Sequence, residues 1–328
     1  MVAVMINKIY VAPMVGRTDK YFRALVRSIT SDFYLYTEMI TCDAFLRTDK
    51  VNCELHDYEK GTIIQLAGSD PEKFLKCSKI IESSDYSEIN INIGCPSNRV
   101  IKGSFGACLI KNPSIVAECI DAIKSKFSRT ISIKTRLGLG YEENLDPIVD
   151  FISKTSESGC KKFIIHARNA ILSGLSPKKN RAIPNLRYDD ASILKKTFPS
   201  LEFIINGGIN SLDMVKANIN RFDGMMIGRK IYSDPMFLLD LNQLIRKTTN
   251  IISRRQVIEK YIMICNDYDI NNNSKYLLLR HLYGLYYGTS SSKIWKKFLN
   301  NLIITKNDIE KLLTFPKNIY VEEIKNYG

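Results

Sequence analysis

Residues 87–110 run S-E-I-N-I-N-I-G-C-P-S-N-R-V-I-K-G-S-F-G-A-C-L-I, and their pattern decides what the chain can build. Apolar and polar residues alternate from Ile89 to Ile93, the period of a strand. Gly94 ends the alternation, and Pro96 fixes the backbone just after Cys95. Cys95 is therefore expected on a loop at the end of a strand, with Asn92 close by. Gly103 and Gly106 follow before an apolar run that carries Cys108. A cysteine thiol titrates near 8.5 in water and is mostly protonated at neutral pH. A thiol so placed suits a general acid, or a nucleophile where a base lies near. From these residues alone, a small buried side chain that fills space is the competing reading.

Working outward, strand-like runs alternate with helix-like ones. Strands are expected at 8–12, 33–36, 61–66, 89–93, 130–135, 162–165, 202–205 and 223–227. Thr18-Asp19 can cap a helix over 20–28, and Asp70-Pro71 opens another. Eight strands with helical connections predict an α/β fold, a TIM (β/α)8 barrel over 1–240. A smaller all-helical domain is expected over 241–328, where apolar spacing at 277, 278, 282, 285 and 286 suits a packed helix. A doubly wound sheet fits less well, since no G-x-G-x-x-G follows the first strand. Gln65, Asn92, Cys95, Lys134, His166, Arg168, Asn206 and Arg229 all fall at or just past strand ends, where a barrel builds its site.

Composition narrows the class. The 328 residues are 45% hydrophobic and 25% charged, a globular balance. No apolar run approaches the ~18 residues of a membrane span, and the N-terminus lacks a signal-peptide pattern. The eight cysteines are scattered with no C-x-x-C pair, which suits a reduced cytoplasmic protein and argues against a metal site or a disulfide framework. The net charge is +13 and the pI about 9.2. Residues 241–328 hold 14 Lys and Arg against 7 Asp and Glu, so about half the excess sits in the last domain. That fits either a solvated Lys-rich surface or a polyanionic partner.

Two Gly-rich turns, Asn206-Gly207-Gly208-Ile209 and Gly228-Arg229, end the last two strands. Barrels commonly hold a phosphate there, because glycines let backbone N–H groups approach an anion. Lys134 at a strand end suits a Schiff base or a positive charge beside an anionic cofactor. Trp295 and the nearby tyrosines suit core packing more than base stacking.

The motif series resembles the tRNA-dihydrouridine synthase family. It comprises A-P-M-V-G-R-T-D (12–19), Y-T-E-M (36–39), Q-L-A-G-S-D-P (65–71), N-I-G-C-P-S (92–97), G-S-F-G-A-C-L (103–109), K-T-R-L-G (134–138) and I-I-H-A-R (164–168). L-S-G-L-S-P-K-K-N-R (172–181) and R-H-L-Y-G-L-Y-Y-G (280–288) are similar to the A-type branch, which acts at positions 20 and 20a. The resemblance implies an FMN-dependent reductase of uridine in the D-loop and elbow region of tRNA, with NADPH as electron donor. FMN contacts would fall on Pro13, Met14, Val15, Gln65, Lys134, His166, Asn206, Gly207, Gly208, Gly228 and Arg229. Cys95 would be the catalytic proton donor. Asn92, Arg99, Arg168, Lys178, Arg181 and Arg280 would face tRNA. Val15 stands where the branch often has Leu. Residues 290–297 carry Lys, a poorer bidentate phosphate binder, where the family tends to have Arg. A monomer is expected. Two other readings use the same residues: an FMN barrel that reduces a free pyrimidine or small enone, and a tRNA-binding protein with secondary catalysis.

Overall fold

A computed structural model describes residues 8–47, 55–248, 252–266, 272–304 and 309–315. The Arg99 side chain and the remaining residues of the expected helical domain lie outside that set. The chain divides into two compact units, one of residues up to Val15 with Tyr34–Ile227, the other of Gly16–Phe33 with the residues from Gly228 onward.

In the first unit eight parallel strands close in sequence order: β1 (Lys8–Val11), β2 (Tyr34–Thr41), β3 (Ile63–Ala67), β4 (Glu88–Ile93), β5 (Thr130–Arg136), β6 (Lys162–His166), β7 (Glu202–Asn206) and β8 (Gly224–Ile227). This is the TIM barrel that the strand spacing predicts. β2 runs five residues past the expected 33–36, with a register shift between Tyr36 and Met39 where it pairs with β3. A pattern search for period two loses the strand at such a bulge. On β4, Ile89, Ile91 and Ile93 are buried on one face, and Glu88, Asn90 and Asn92 are buried on the other. The alternation seen in the sequence thus separates two buried faces rather than a buried face from a wet one, as parallel sheets allow.

Helices follow the strands. The second unit contributes α1 (Lys20–Ile29), capped by the Asp19 carboxylate, which accepts the Phe22 N–H at 3.0 Å. The barrel unit holds α2 (Cys42–Arg47), α3 (Pro71–Glu82), α4 (Asn98–Lys102), α5 (Pro113–Lys124), α6 (Asp146–Glu157), α7 (Tyr188–Thr197) and α8 (Leu212–Asn218). Asp70 caps α3 by accepting from Glu72 and Lys73, with Pro71 in the first turn. α3 packs on α5, and α5 on α6.

The rest of the second unit is α9 (Arg229–Ser233), α10 (Phe237–Arg246), α11 (Arg254–Asn266), α12 (Asn272–Arg280) and α13 (Ser292–Ile304). The helix expected through 277–286 is interrupted: α12 stops at Arg280 and a 3-10 turn spans His281–Gly284. A Cβ on Gly284 would stand 2.7 Å from the Ser233 carbonyl oxygen, so the chain there needs glycine rather than a helix former. Leu278, Leu282, Leu285 and Tyr286 are buried all the same. Trp295 is also fully buried, donating its indole N–H to Leu282 at 2.7 Å among the rings of Tyr286 and Phe315. It packs a core. Among the described residues no helix is long and apolar enough to cross a membrane.

Candidate active site at the barrel rim

The strand register brings the predicted rim residues together. Asn92 lies beside Lys134 across β4 and β5, while Arg136, His166 and Asn206 share one level across β5, β6 and β7. Cys95 sits just past β4 and is half-buried, its thiol 3.5 Å from the Ser97 hydroxyl. Its loop is tightly held. The Asn92 side-chain carbonyl oxygen accepts the N–H groups of Gly94 (3.1 Å) and Cys95 (3.0 Å). The Cys95 carbonyl accepts from Ala107 at 3.1 Å. Gly106, at φ +70°, leaves no room for a side chain: a Cβ would come within 2.9 Å of that carbonyl and closer still to Val100. G-S-F-G-A-C-L is therefore a clamp on the cysteine loop, and its glycine serves fit as well as turning.

The electrostatics of the rim are positive. Burial lowers the Lys134 ammonium to about 7, and the Arg136 charge adds to that effect. Among the described residues no hydrogen bond or ion pair satisfies this ammonium. Burial also lowers Arg136, to about 10, with Arg181 and Arg168 contributing to the same field. Lys134 and Arg136 both lie close enough to Cys95 that a thiolate there would favour their charged forms.

Arg136 is not among the sequence candidates. Its Nε donates to the Gly94 carbonyl (3.1 Å) and its Nη1 to the carbonyls of Asn169 (3.1 Å) and Asn180 (2.9 Å). It therefore ties the cysteine loop to the segment after β6. Asn180, fully buried, holds that segment closed through Ile171, Leu175 and Ser176. Lys178 and Arg181 stand exposed on the same segment. Arg168 is buried, and its guanidinium donates to the carbonyls of Pro184 and Ala182. Asn92 and Gln65 are buried and bonded to each other at 2.8 Å.

The Gly-rich turn after β7 is built for close approach. Gly207 (φ +114°) and Gly208 (φ +71°) adopt conformations that side chains avoid. A Cβ on Gly207 would lie 2.6 Å from the His166 ring. The Gly207 carbonyl accepts the Tyr188 hydroxyl, and Asn206 Nδ2 donates to the Met226 carbonyl at 2.8 Å. Pro13 and Met14 are half-buried after β1, and Val15 is exposed. A half-buried, unpaired ammonium, an imidazole and bare glycine backbone form a donor set that fits an anionic ring system carrying a phosphate.

In the second unit, Gly228 precedes α9 and Arg229 is exposed. Arg280 is engaged within its own unit: Nη2 donates to Asp19 at 2.5 Å, beside buried His281, whose Nε2 lies 2.9 Å from the same carboxylate.

Comparisons with known proteins extend this picture. Solved barrels of low identity share the fold. One is a 2-naphthoyl-CoA reductase (TM-score 0.54, 9% identity, 72% of this chain and 50% of that one). Another is histamine dehydrogenase from Rhizobium sp. 4-9 (TM-score 0.50, 12%, 79% and 49%). The chain spans about half the length of each, and the likeness is one of fold alone. Sequence similarity is far stronger to tRNA-dihydrouridine(20/20a) synthases. That of Synechocystis sp. is 37% identical over 90% of this chain and 89% of its own. That of Vibrio vulnificus is 38% identical over 89% and 90%. The dihydrouridine synthase (Dus) family model matches residues 10–320, nearly the whole chain, and the chain belongs to that family.

Proposed function

We propose that this protein reduces uridine to 5,6-dihydrouridine in tRNA, at positions 20 and 20a of the D-loop. The observation that carries the reading is a cysteine on a clamped loop beside half-buried Lys134 and buried Arg136, in a chain of the Dus family. The cofactor is FMN, reduced by NADPH; when bound, it supplies the hydride. Pro13, Met14, Val15, Gln65, Lys134, His166, Asn206, Gly207, Gly208, Gly228 and Arg229 would hold it. The Lys134 ammonium would answer negative charge on its ring, and the glycines would offer backbone N–H groups to its phosphate.

Cys95 completes the reduction. Saturating the C5=C6 bond of uracil takes a hydride on one carbon and a proton on the other. The Cys95 thiol gives its proton to C5. The hydrogen bonds that the Asn92 side chain accepts from the loop hold the sulfur in place. The uridine must leave its stack, at a cost of a few kcal/mol. Phosphate contacts from a basic helical domain over 241–328, together with Lys178, Arg181, Arg99 and Arg280, offset that cost. Asn92 and Arg168 border the base. The enzyme works as a cytoplasmic monomer.

The test is anaerobic. Reduced protein is mixed with unmodified tRNA while flavin absorbance is followed. Reoxidation by tRNA and not by free uridine is expected. A flavin that stays reduced with tRNA, or protein that binds no flavin, rejects the proposal.

A further inference from the structure

A column of polar side chains runs through the barrel interior beneath the cysteine loop. Lys162 Nζ donates to Glu88 Oε2 at 2.7 Å, both side chains being less than a tenth exposed. The Ser132 hydroxyl donates to Glu88 Oε1. Asn90 Nδ2 donates to Ser132 Oγ (2.6 Å), and Gln65 Nε2 to Asn90 Oδ1 (2.7 Å). Asn92 Nδ2 donates to Gln65 Oε1 (2.8 Å), and Asn92 Oδ1 accepts from Gly94 and Cys95. Barrel interiors are ordinarily filled by layers of branched apolar side chains. Six connected polar groups in that space need a reason.

The column has a direction, and its chemistry enforces it. A carboxylate only accepts, so Ser132 must direct its one hydrogen to Glu88. Ser132 Oγ can then only accept, which forces the Asn90 amide to turn its NH2 downward and its oxygen up. Gln65 must answer with its NH2, so its oxygen faces Asn92. Asn92 in turn presents its oxygen to the loop, where two backbone N–H groups require an acceptor. Each amide flip is thus fixed by the one beneath it, and the Glu88–Lys162 pair sets the first.

We propose that Glu88, Asn90 and Ser132 are positioning residues, which orient the amides of Gln65 and Asn92 and through them the Cys95 loop. The inference rests on Cys95 being the proton donor only for its effect on turnover. The alkylation rate of Cys95 in flavin-free protein reads the loop whether or not that assignment holds.

The experiment exchanges acid and amide along the column. Asn90→Asp keeps the shape but removes the donor to Ser132. Glu88→Gln keeps the shape but turns Ser132 the other way. Each alone should lower kcat by on the order of tenfold to a hundredfold. Each should also change the Cys95 alkylation rate by at least about fivefold, with the KM for tRNA changed by less than about twofold. In the double variant E88Q/N90D, the amide introduced at position 88 donates its NH2 to Ser132. The Ser132 hydroxyl then donates to the carboxylate introduced at position 90, which still accepts from Gln65. The upper column regains its direction, and both readouts should return to within about threefold of wild type. A role in filling space alone predicts no such rescue. A folded double variant no better than its parents overturns the proposal. Ser132→Ala provides a check that does not depend on the double variant folding. It should reproduce the single-variant losses, and wild-type alkylation and kcat in S132A also overturn the proposal.

Discussion

Two inward-facing lysines on neighbouring strands, Lys162 buried and Lys134 half-buried, are treated in opposite ways. Lys162, at the start of β6, meets the Glu88 carboxylate at 2.7 Å and lies over the Tyr10 ring at 4.5 Å. Lys134, near the end of β5, is half-buried with no acidic partner among the described residues, and desolvation lowers its ammonium to about 7. At the base of the barrel the fold completes its own electrostatics. At the rim it leaves a charge uncompensated, next to the cysteine whose loop is clamped from both sides. An uncompensated buried charge is destabilising unless something arrives to meet it. The difference therefore separates the end of the barrel that holds the fold together from the end that binds.

The largest effect expected from breaking that division is at the rim. Cys95→Ala should lower turnover by about 10²–10⁴-fold, the usual worth of general acid catalysis, while flavin stays bound. Dihydrouridine formation at the wild-type rate, measured by mass spectrometry of digested tRNA, would remove Cys95 from the mechanism. Folding stability should barely move, because a half-buried thiol contributes little packing.

The base should respond in the opposite sense. Lys162→Met strands the Glu88 carboxylate in a site where both partners are nearly inaccessible. The expected loss is about 3–5 kcal/mol in urea denaturation. Lys134→Met should lose far less, or gain, in flavin-free protein. Equal losses for the two variants would erase the distinction between base and rim.

The barrel is legible because its code is local. Period-two runs ending in polar residues appear in the sequence wherever a strand meets the rim, and Gln65, Asn92, Lys134, His166 and Asn206 are found that way. What each side chain touches is not local. Arg136 lies in a motif that is read for its lysine, but its partners Gly94 and Asn180 are 42 and 44 residues away. Arg168 and Arg280 carry the charge of an RNA contact, yet one is bonded to main-chain carbonyls and the other to Asp19. Their positive charge is visible in the sequence, but their partners are not. The polar column is half visible, as the alternating Glu88, Asn90 and Asn92 of β4. Its continuation through Gln65, Ser132 and Lys162 requires the register of four strands. α1 follows β1 directly, yet by contact it groups with the C-terminal helices, which no local pattern indicates.

A pH series sharpens the contrast at intermediate size. Lys134 titrates near 7 in the folded protein and near 10.4 in an unfolded chain. Between those values the unfolded state holds more protons, so this group makes stability rise with pH through that window. Below about pH 7 its full cost is present. The difference between wild type and Lys134→Met, in flavin-free protein, should therefore narrow from pH 7 towards pH 10, with a slope of at most about 1.4 kcal/mol per unit. A flat difference would mean that the ammonium is not held in a desolvated site. An anionic ligand should reverse the trend by restoring the charged form, so binding near pH 8 should take up a proton, measurable by calorimetry in two buffers.

The smallest effect tests whether the rim is built for a ligand rather than for the fold. Tyr188 donates its hydroxyl to the Gly207 carbonyl, in a turn at φ +114° where a Cβ would lie 2.6 Å from the His166 ring. Tyr188→Phe removes one donor and leaves the ring in place. The folded state should lose about 0.5–1.5 kcal/mol, an ordinary hydrogen bond. If the turn is held for an incoming phosphate, the same substitution should also weaken flavin binding by about threefold to tenfold, because loosened backbone donors must be ordered again when the ligand binds. Lost stability with unchanged flavin affinity would place the Tyr188 contact with the base of the barrel, as a device of the fold. Lost affinity at nearly constant stability would place it with Lys134, as part of what the rim holds ready.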